Sequence, residues 1–249
     1  MKILVCVKQV LDPTGLTVNR KAEKVFVNRE EFILDPASKA ALEAASDLKQ
    51  AGAEVIAISV GPERVGDGLR EALARGADRA IWIRSEGGDA QVIASLIAAA
   101  VRKLGNIDLI IAGHQSLDTG AGELSPRLAE ALDWPQLLGA AKIDAGANGV
   151  TAIVQADGFV QVEAALPVVI SMLGGAYRGS LANGWRLMDA YKKWTVEAWS
   201  TAELDLGEDD LRPLTTKKED AFPPERQRGT PVRDVKELVV MLKREKVIA

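Results

Sequence analysis

Residues 113–126 read Gly113-His-Gln-Ser-Leu-Asp-Thr-Gly-Ala-Gly-Glu-Leu-Ser-Pro126. They follow an apolar run at residues 107–112, which is typical of a buried parallel strand, and precede leucines at helical spacing. Backbone N–H groups at such a helix start bind anions, above all phosphates. Ser125 is expected to cap the helix and Pro126 to occupy its first position. The pattern indicates either a nucleotide phosphate site or a tight connection without a ligand, and it matches neither the Walker nor the dinucleotide fingerprint.

Similar apolar runs occur before this loop and alternate with predicted helices. Residues 3–7, 55–60 and 79–83 are predicted strands, and Asp35 and Asp89 are predicted N-caps of helices. This alternation predicts an α/β fold with a doubly wound, mostly parallel, Rossmann-like sheet that carries helices on both faces. Ligands of such sheets bind beyond the carboxyl ends of the strands, so the loops leaving these ends are expected to form one pocket.

Two further segments have the pattern of β-hairpins. Residues 17–28 alternate apolar and polar side chains, as a hairpin at the sheet edge would. Residues 150–156 and 159–165 flank Asp157-Gly158, a dipeptide that favours a tight turn. We therefore expect both hairpins to be antiparallel additions to the parallel core.

The C-terminal part has a different character. Residues 1–193 are predicted to form the nucleotide-binding α/β domain, and residues 194–249 an extended C-terminal arm that ends in an amphipathic helix. The arm carries Trp194 and Trp199, large apolar side chains that seldom lie free in water. The sequence leaves open whether the arm packs on a partner or against its own domain.

Composition limits the classes of function. The chain has 249 residues, 47% hydrophobic residues and a net charge of −4, which does not favour nucleic-acid binding. No apolar run has the length of a membrane span, so no membrane insertion is expected. The single cysteine, Cys6, fits a cytoplasmic location, and the single histidine excludes a multi-histidine metal site. No paired carboxylates or nucleophile–base set indicates acid–base or covalent catalysis.

Six short motifs occur in a characteristic order: Val5-Cys-Val-Lys-Gln-Val10, Leu34-Asp-Pro36, Gly61-Pro62, Leu73-Ala-Arg-Gly-Ala-Asp-Arg-Ala80, Ala112-Gly-His-Gln-Ser-Leu-Asp118 and Leu132-Asp-Trp-Pro-Gln136. Their order and spacing resemble those of the β subunit of electron transfer flavoproteins. The resemblance covers about residues 1–200. The C-terminal arm is most similar to the FixA-like branch, which is linked to nitrogen fixation and flavin-based electron bifurcation.

The resemblance implies one half of an αβ heterodimer whose α subunit holds the electron-carrying FAD. It implies that this chain binds AMP, as in one branch, or a second FAD, as in the bifurcating branch. Electrons would pass from dehydrogenases to a quinone reductase or another acceptor, with this chain as a carrier subunit. The alternative is a stand-alone adenine-nucleotide-binding module, such as a sensor or an adenylating enzyme. Residues 8–15 lack the Ser/Gly-rich loop that an adenylating enzyme needs after its first strand.

The resemblance also implies site residues. It places the Cys6 backbone beside the adenine and the amides of residues 119–124, with Gln115 and Asp118, beside the phosphate. Tyr177, Arg178 and Leu181 fall in the loop that recognises partner dehydrogenases, with Leu181 as its anchor. Including Lys8 and His114, which are candidates from their position, the predicted pocket comprises Cys6, Lys8, Asp35, Pro36, Ala37, Ser38, Val60, Gly113, His114, Gln115, Ser116, Asp118, Thr119, Gly120, Ala121, Gly122, Glu123, Leu124 and Ser125.

Three positions differ from the family pattern. Asp35 stands where the family has Asn, and Glu123 and Ser125 stand where its loop carries Gln and Gly. A carboxylate at Glu123 repels a phosphate unless it turns away or is neutralised. The choice between AMP and FAD therefore stays open, as does the role of His114, which is either a donor to the ligand or an ordinary loop histidine.

Overall fold

The computed structural model describes residues 1–50, 52–146, 149–177, 181–216, 218, 221–225 and 229–248. The chain forms two compact units, Met1–Thr216 and Lys217–Ala249. The strands are β1 (Lys2–Cys6), β2 (Gln9–Leu11), β3 (Leu16–Asn19), β4 (Lys24–Val27), β5 (Phe32–Leu34), β6 (Glu54–Gly61), β7 (Arg79–Arg84), β8 (Leu109–Gly113), β9 (Gln136–Gly146), β10 (Gly149–Ala156), β11 (Gly158–Ala164), β12 (Val168–Met172) and β13 (Glu197–Ser200). The helices are α1 (Pro36–Gln50), α2 (Val65–Ala74), α3 (Ala90–Leu104), α4 (Leu124–Leu132), α5 (Gly184–Lys192) and α6 (Val235–Arg244).

The first unit is built on one large sheet with helices on both faces, as predicted. Among the described residues its strand order is β11-β10-β9-β12-β8-β1-β6-β7-β13. Along the part of this order that runs β9-β12-β8-β1-β6-β7-β13, every neighbouring pair is parallel. The pairs β11–β10 and β10–β9 are antiparallel. The prediction of a doubly wound, mostly parallel α/β fold is therefore confirmed.

Strand β1 shows why the sheet is covered on both faces. Ile3 and Val5 lie in the core formed with α1 and α2, whereas Leu4 and Cys6 lie in the core formed with α3 and α4. Successive side chains of a strand point to opposite faces, so an all-apolar strand is stable only between two layers of helices. The apolar runs of the sequence thus become the central strands.

The hairpin of residues 17–28 forms, but not at the edge of the main sheet. Strands β3 and β4 pair only with each other among the described residues, in a separate two-stranded sheet. The edges of the main sheet are formed instead by β13, beside β7, and by β11. The second hairpin, β10–β11, was predicted and is confirmed.

The first part of the arm packs on its own domain. Strand β13 pairs with β7, and Arg79 donates to both carboxylate oxygens of Glu197, at 2.8 and 3.0 Å. Trp194 packs against the core on the α1 side of the sheet, and Trp199 against the core on the α3 side. The sequence left two placements open for these tryptophans, and the structure favours packing against their own domain.

The second unit contains α6. Asp234 caps this helix by accepting a hydrogen bond from the amide of Glu237 at 2.9 Å. Its apolar side chains Val235, Leu238 and Val240 are exposed within the described chain. Among the described residues, no helix is long and apolar enough to cross a membrane.

Candidate functional site

A cavity of about 550 Å³ lies at the carboxyl ends of the central strands. The chain leaves β1 for β6 on one side and later returns to β8 on the other, so β1 and β8 border a topological switch point. Ligands of open α/β sheets bind at such points. The cavity is lined by the ends of β1, β6 and β8 and by the starts of α1, α3 and α4.

Most residues of the predicted pocket meet in this cavity. Pro36, Ala37, Gln115, Asp118, Gly120 and Ser125 do not line it. The predicted residues that do line it are Cys6, Lys8, Asp35, Ser38, Val60, Gly113, His114, Ser116, Thr119, Ala121, Gly122, Glu123 and Leu124.

Asp35 joins the start of α1 to the glycine-rich loop. One carboxylate oxygen accepts from the amides of Ala37 and Ser38, at 2.9 and 3.2 Å, and the other accepts from the amide of Leu117 at 2.8 Å. The first pair is the predicted N-cap, which is confirmed. The residue is buried, so its carboxylate is committed to backbone donors and the loop is held against α1.

Lys8 and Asp118 form an ion pair at the mouth of the cavity. The Lys8 Nζ lies 2.7 Å from an Asp118 carboxylate oxygen, which also accepts from the Thr119 amide at 2.8 Å. Burial raises the pKa of Asp118, but hydrogen bonds from Lys8 and Ser116 and the charge of Lys8 outweigh it and lower the pKa below its usual range. Asp118 therefore organises the loop and positions the ammonium group of Lys8.

Glu123, the carboxylate expected to repel a phosphate, is neutralised. Arg127 lies one helical turn later and donates to the same Glu123 oxygen through Nε and Nη2, at 2.9 and 2.7 Å. The Arg127 Nη1 donates to Gln91 of α3 at 3.1 Å, which fixes the guanidinium. This ion pair was not predicted, although the spacing of four residues between Glu123 and Arg127 is a signal for it in the sequence.

The expectation that Ser125 caps α4 is wrong. The helix begins at Leu124 with Glu123 as its N-cap, so Ser125 and Pro126 lie inside the first turn. Pro126 is tolerated there because the first four amides of a helix have no intrahelical partner. The Ser125 hydroxyl is buried and has no hydrogen-bond partner among the described residues. The first turn of α4 thus combines open amides with an unpartnered hydroxyl.

Only part of the loop keeps amides available for a ligand. The Thr119 amide donates to Asp118, and the Gly120 amide donates to the Ser116 carbonyl at 2.9 Å. These two members of the predicted amide row are therefore occupied within the loop. The amides from Ala121 to the start of α4 are the ones that the geometry leaves for an anion.

His114 is held by the neighbouring strands. Its Nδ1 lies 2.9 Å from the hydroxyl of buried Ser171, and that hydroxyl accepts from the Gly139 amide at 3.0 Å. This hydrogen bond fixes the orientation of the imidazole, whichever of the two groups donates. His114 lines the cavity, so it adds a held polar side chain to the wall.

Cys6 is a packing residue. Its side chain is buried in the core on the α3 side, and this burial raises the pKa of its thiol to about 12. The thiolate form that reacts with electrophiles is therefore suppressed. This agrees with its predicted role through the backbone.

Several cavity residues were not predicted. Arg64 lies over the ring of Phe32 at 4.1 Å and contacts Gln9 at 3.4 Å. Ile93 and Ile97 of α3 give the cavity an apolar wall. The loop of residues 86–89 and Thr215 complete the rim. Thr215 lies far along the chain from the other lining residues, and no local pattern in the sequence indicates that it reaches the cavity.

The predicted partner loop is only partly described. Arg178 lies outside the described residues. Tyr177 is half-buried against the core on the α1 side rather than at a loop tip, and burial raises the pKa of its phenol. Leu181 is 93% exposed, and Trp185, at the start of α5, is 79% exposed. Both side chains are therefore open to a partner.

The fold and the cavity define a Rossmann-like α/β protein with a binding site at its switch point. Residues 24–204 match the family model of the electron transfer flavoprotein domain. The chain belongs to the electron transfer flavoprotein family, which confirms the resemblance.

Its curated relatives include electron transfer flavoprotein subunits beta and FixA proteins. The chain is 30% identical over 255 residues to the electron transfer flavoprotein subunit beta of Bacillus subtilis, covering 98% of each protein. It is 33% identical over 174 residues to the subunit of the same name from Syntrophomonas wolfei, covering 69% of each. It is 32% identical over 222 residues to protein FixA of Rhizobium meliloti, covering 84% of this chain and 75% of the relative.

Proposed function

We propose that this chain is the β subunit of a heterodimeric electron transfer flavoprotein and binds an adenine nucleotide in the cavity at the switch point. It helps to pass electrons from dehydrogenases to a quinone reductase or another acceptor through the FAD of its α subunit, in the cytoplasm. The observation that carries the nucleotide site is the start of α4 at the cavity wall, with its carboxylate already neutralised by Arg127.

The lining of the cavity fits a nucleotide. The amides of residues 121–124 at the start of α4 suit a phosphate, and His114 adds a polar side chain to the wall. Ile93 and Ile97 form an apolar wall that suits an aromatic ring. A bound FAD would supply the electron-carrying isoalloxazine, whereas AMP would be structural. This chain's own residues bind and orient the nucleotide in either case.

The partner surfaces follow the same proposal. Residues 1–193 act as the nucleotide-binding domain, and within residues 194–249 the exposed apolar face of α6 docks on the α subunit. Leu181, with Tyr177 and Arg178 before it, recognises dehydrogenases. The exposure of Leu181 supports this assignment because a single apolar anchor must be free to enter a partner's pocket.

The test is to co-purify this chain with its α subunit and to count the ligands released by denaturation. Two FAD per heterodimer assign a second flavin to this chain, and one FAD with one AMP assigns a structural nucleotide. One FAD with no other nucleotide contradicts the proposed site. A chain that stays monomeric beside its α subunit contradicts the subunit assignment and supports a stand-alone nucleotide-binding module.

Arg127→Ala tests the neutralised carboxylate. Without the guanidinium, Glu123 faces the phosphate uncompensated, and we expect about tenfold weaker nucleotide binding, equivalent to about 1.4 kcal/mol. Titration calorimetry on heterodimer stripped of nucleotide measures this constant. The double variant Glu123→Gln with Arg127→Ala should recover most of the affinity, because it removes the charge. If Arg127→Ala binds as well as the unmodified protein, Glu123 does not lie beside a phosphate.

A further inference from the structure

A short segment at the end of the first unit closes one side of the cavity rim. We call residues 212–216 the strap. It has no regular secondary structure. The turn before it is anchored, since Leu206 and Leu211 pack against the core on the α3 side. Thr215 lines the cavity, so the strap forms part of its wall.

One carboxylate holds the strap. The Oδ2 of Asp89 accepts from the amide of Leu214 at 2.7 Å and from the amide and hydroxyl of Thr215, at 2.9 and 3.2 Å. These bonds join residues more than 120 positions apart. At the other end of the strap the Arg212 amide donates to the Asp209 carbonyl at 3.2 Å, so the three bonds to Asp89 hold the part of the strap that carries Thr215.

The other carboxylate oxygen of Asp89 stabilises the start of α3. Its Oδ1 accepts from the Val92 amide at 3.1 Å, which caps α3. The hydrogen bond from Val92 lowers the pKa of Asp89, and those from Thr215 and Leu214 add to this against the effect of burial. The carboxylate is therefore available to both sets of donors at neutral pH. Asp89 also lines the cavity, so a single side chain links a helix start, the strap and the binding site.

We propose that Asp89 is a positioning residue that latches the strap across the cavity rim, so that release of the bound nucleotide requires the latch to open. This inference rests on the proposed nucleotide site. It assigns to the carboxylate a role in ligand retention in addition to its role as a helix cap. The strap contributes Thr215 as the closing wall.

Asp89→Asn separates the two roles. Asparagine is as good an N-cap as aspartate, because its one carbonyl oxygen can still accept from Val92. Its amide nitrogen then faces the strap, and a donor cannot accept from the amides of Leu214 and Thr215. The variant thus keeps α3 and loses the latch. Thr215→Val removes only the hydroxyl bond and provides a milder second variant.

The experiment uses the heterodimer with its bound nucleotide. We expect Asp89→Asn to release nucleotide about tenfold faster and Thr215→Val about two- to threefold faster, in order of the hydrogen bonds lost. Dissociation is followed as transfer of AMP and FAD from the protein to the filtrate after dilution. Hydrogen exchange of the peptide that contains Leu214 and Thr215 should accelerate in parallel, while the melting temperature stays unchanged.

The outcomes distinguish this inference from the proposed function. An unmodified heterodimer without nucleotide in this chain contradicts the proposed function itself. A nucleotide-loaded heterodimer whose release rate is the same in Asp89→Asn overturns the latch, whether or not strap exchange accelerates. Asp234→Asn is the matched control: Asp234 caps α6 through the same kind of side-chain bond and is not one of the residues that line the cavity, so it should change neither readout.

Discussion

Gly113→Ala is expected to abolish nucleotide retention and to destabilise the first unit. Gly113 ends β8, where the glycine-rich loop crosses the start of α1. A Cβ there would lie 2.7 Å from the Cβ of Ala37 and 3.0 Å from its carbonyl carbon, and neither atom can rotate away. The strand end and the helix start would have to separate, at a cost of about 1–3 kcal/mol for overpacking. Urea unfolding and the count of released nucleotide per heterodimer measure both effects.

The control for this prediction is a glycine with open space around it. At Gly184, the first residue of α5, no atom lies within 4 Å of an added Cβ, so Gly184→Ala should leave unfolding and nucleotide content unchanged. A Gly113→Ala heterodimer that retains its nucleotide at full occupancy would show that the approach of the loop to α1 is not needed for binding.

The central strands and their helices were predictable because their signals are local. β1, β6 and β8 are apolar on both faces, and Asp35 and Asp89 mark helix starts through side-chain caps. The loop after β8 was predictable for the same reason, since strand, glycine-rich loop and helix follow one another in sequence. Parallel-sheet topology then brings the loops together at one edge.

Strands β9 and β13 were not predicted, because pairing rather than local pattern defines them. β13 is four residues long, and it forms where β7 offers an open edge and Arg79 offers a partner for Glu197. β9 contains small and polar residues, and it lies between β12 and β10, whose backbones satisfy its own. In both cases tertiary contacts override a weak intrinsic preference.

The same distinction applies to the site. Lys8, Asp35 and the loop residues follow predicted strands, so the sequence places them at the pocket. Thr215 reaches it only through Asp89, across 126 positions, and no spacing rule anticipates such a contact. Of the two roles of Asp35, only the helix cap was predicted. The cap on α1 is a local contact, whereas the hydrogen bond from the Leu117 amide joins residues far apart in the sequence.

Asp35→Ala is the second substitution with a large expected effect. It removes the acceptor of three backbone amides, those of Ala37, Ser38 and Leu117, at a buried position. Buried amides left without an acceptor cost about 1–3 kcal/mol each, so we expect the free energy of unfolding to fall by about 3 kcal/mol or more. The loop would also detach from α1, and nucleotide would be lost with it.

Asn183→Ala provides the matched control for the cap alone. Asn183 caps α5 by accepting from the amides of Trp185 and Arg186, without a tie to another loop, so its loss should cost only about 1 kcal/mol. The excess destabilisation in Asp35→Ala then measures the bond to the glycine-rich loop and the burial of the site.

Asp35→Asn tests whether this position needs a carboxylate rather than an amide. An amide has one acceptor oxygen, so it can serve the α1 amides or Leu117, but its nitrogen repels the donor on the other side. We expect the helix cap to survive and the Leu117 amide to exchange at least tenfold faster, with weaker nucleotide binding. Equal protection of Leu117 in Asp35→Asn would mean that the second carboxylate oxygen is dispensable. The second acceptor of a carboxylate would then have no role in holding the loop.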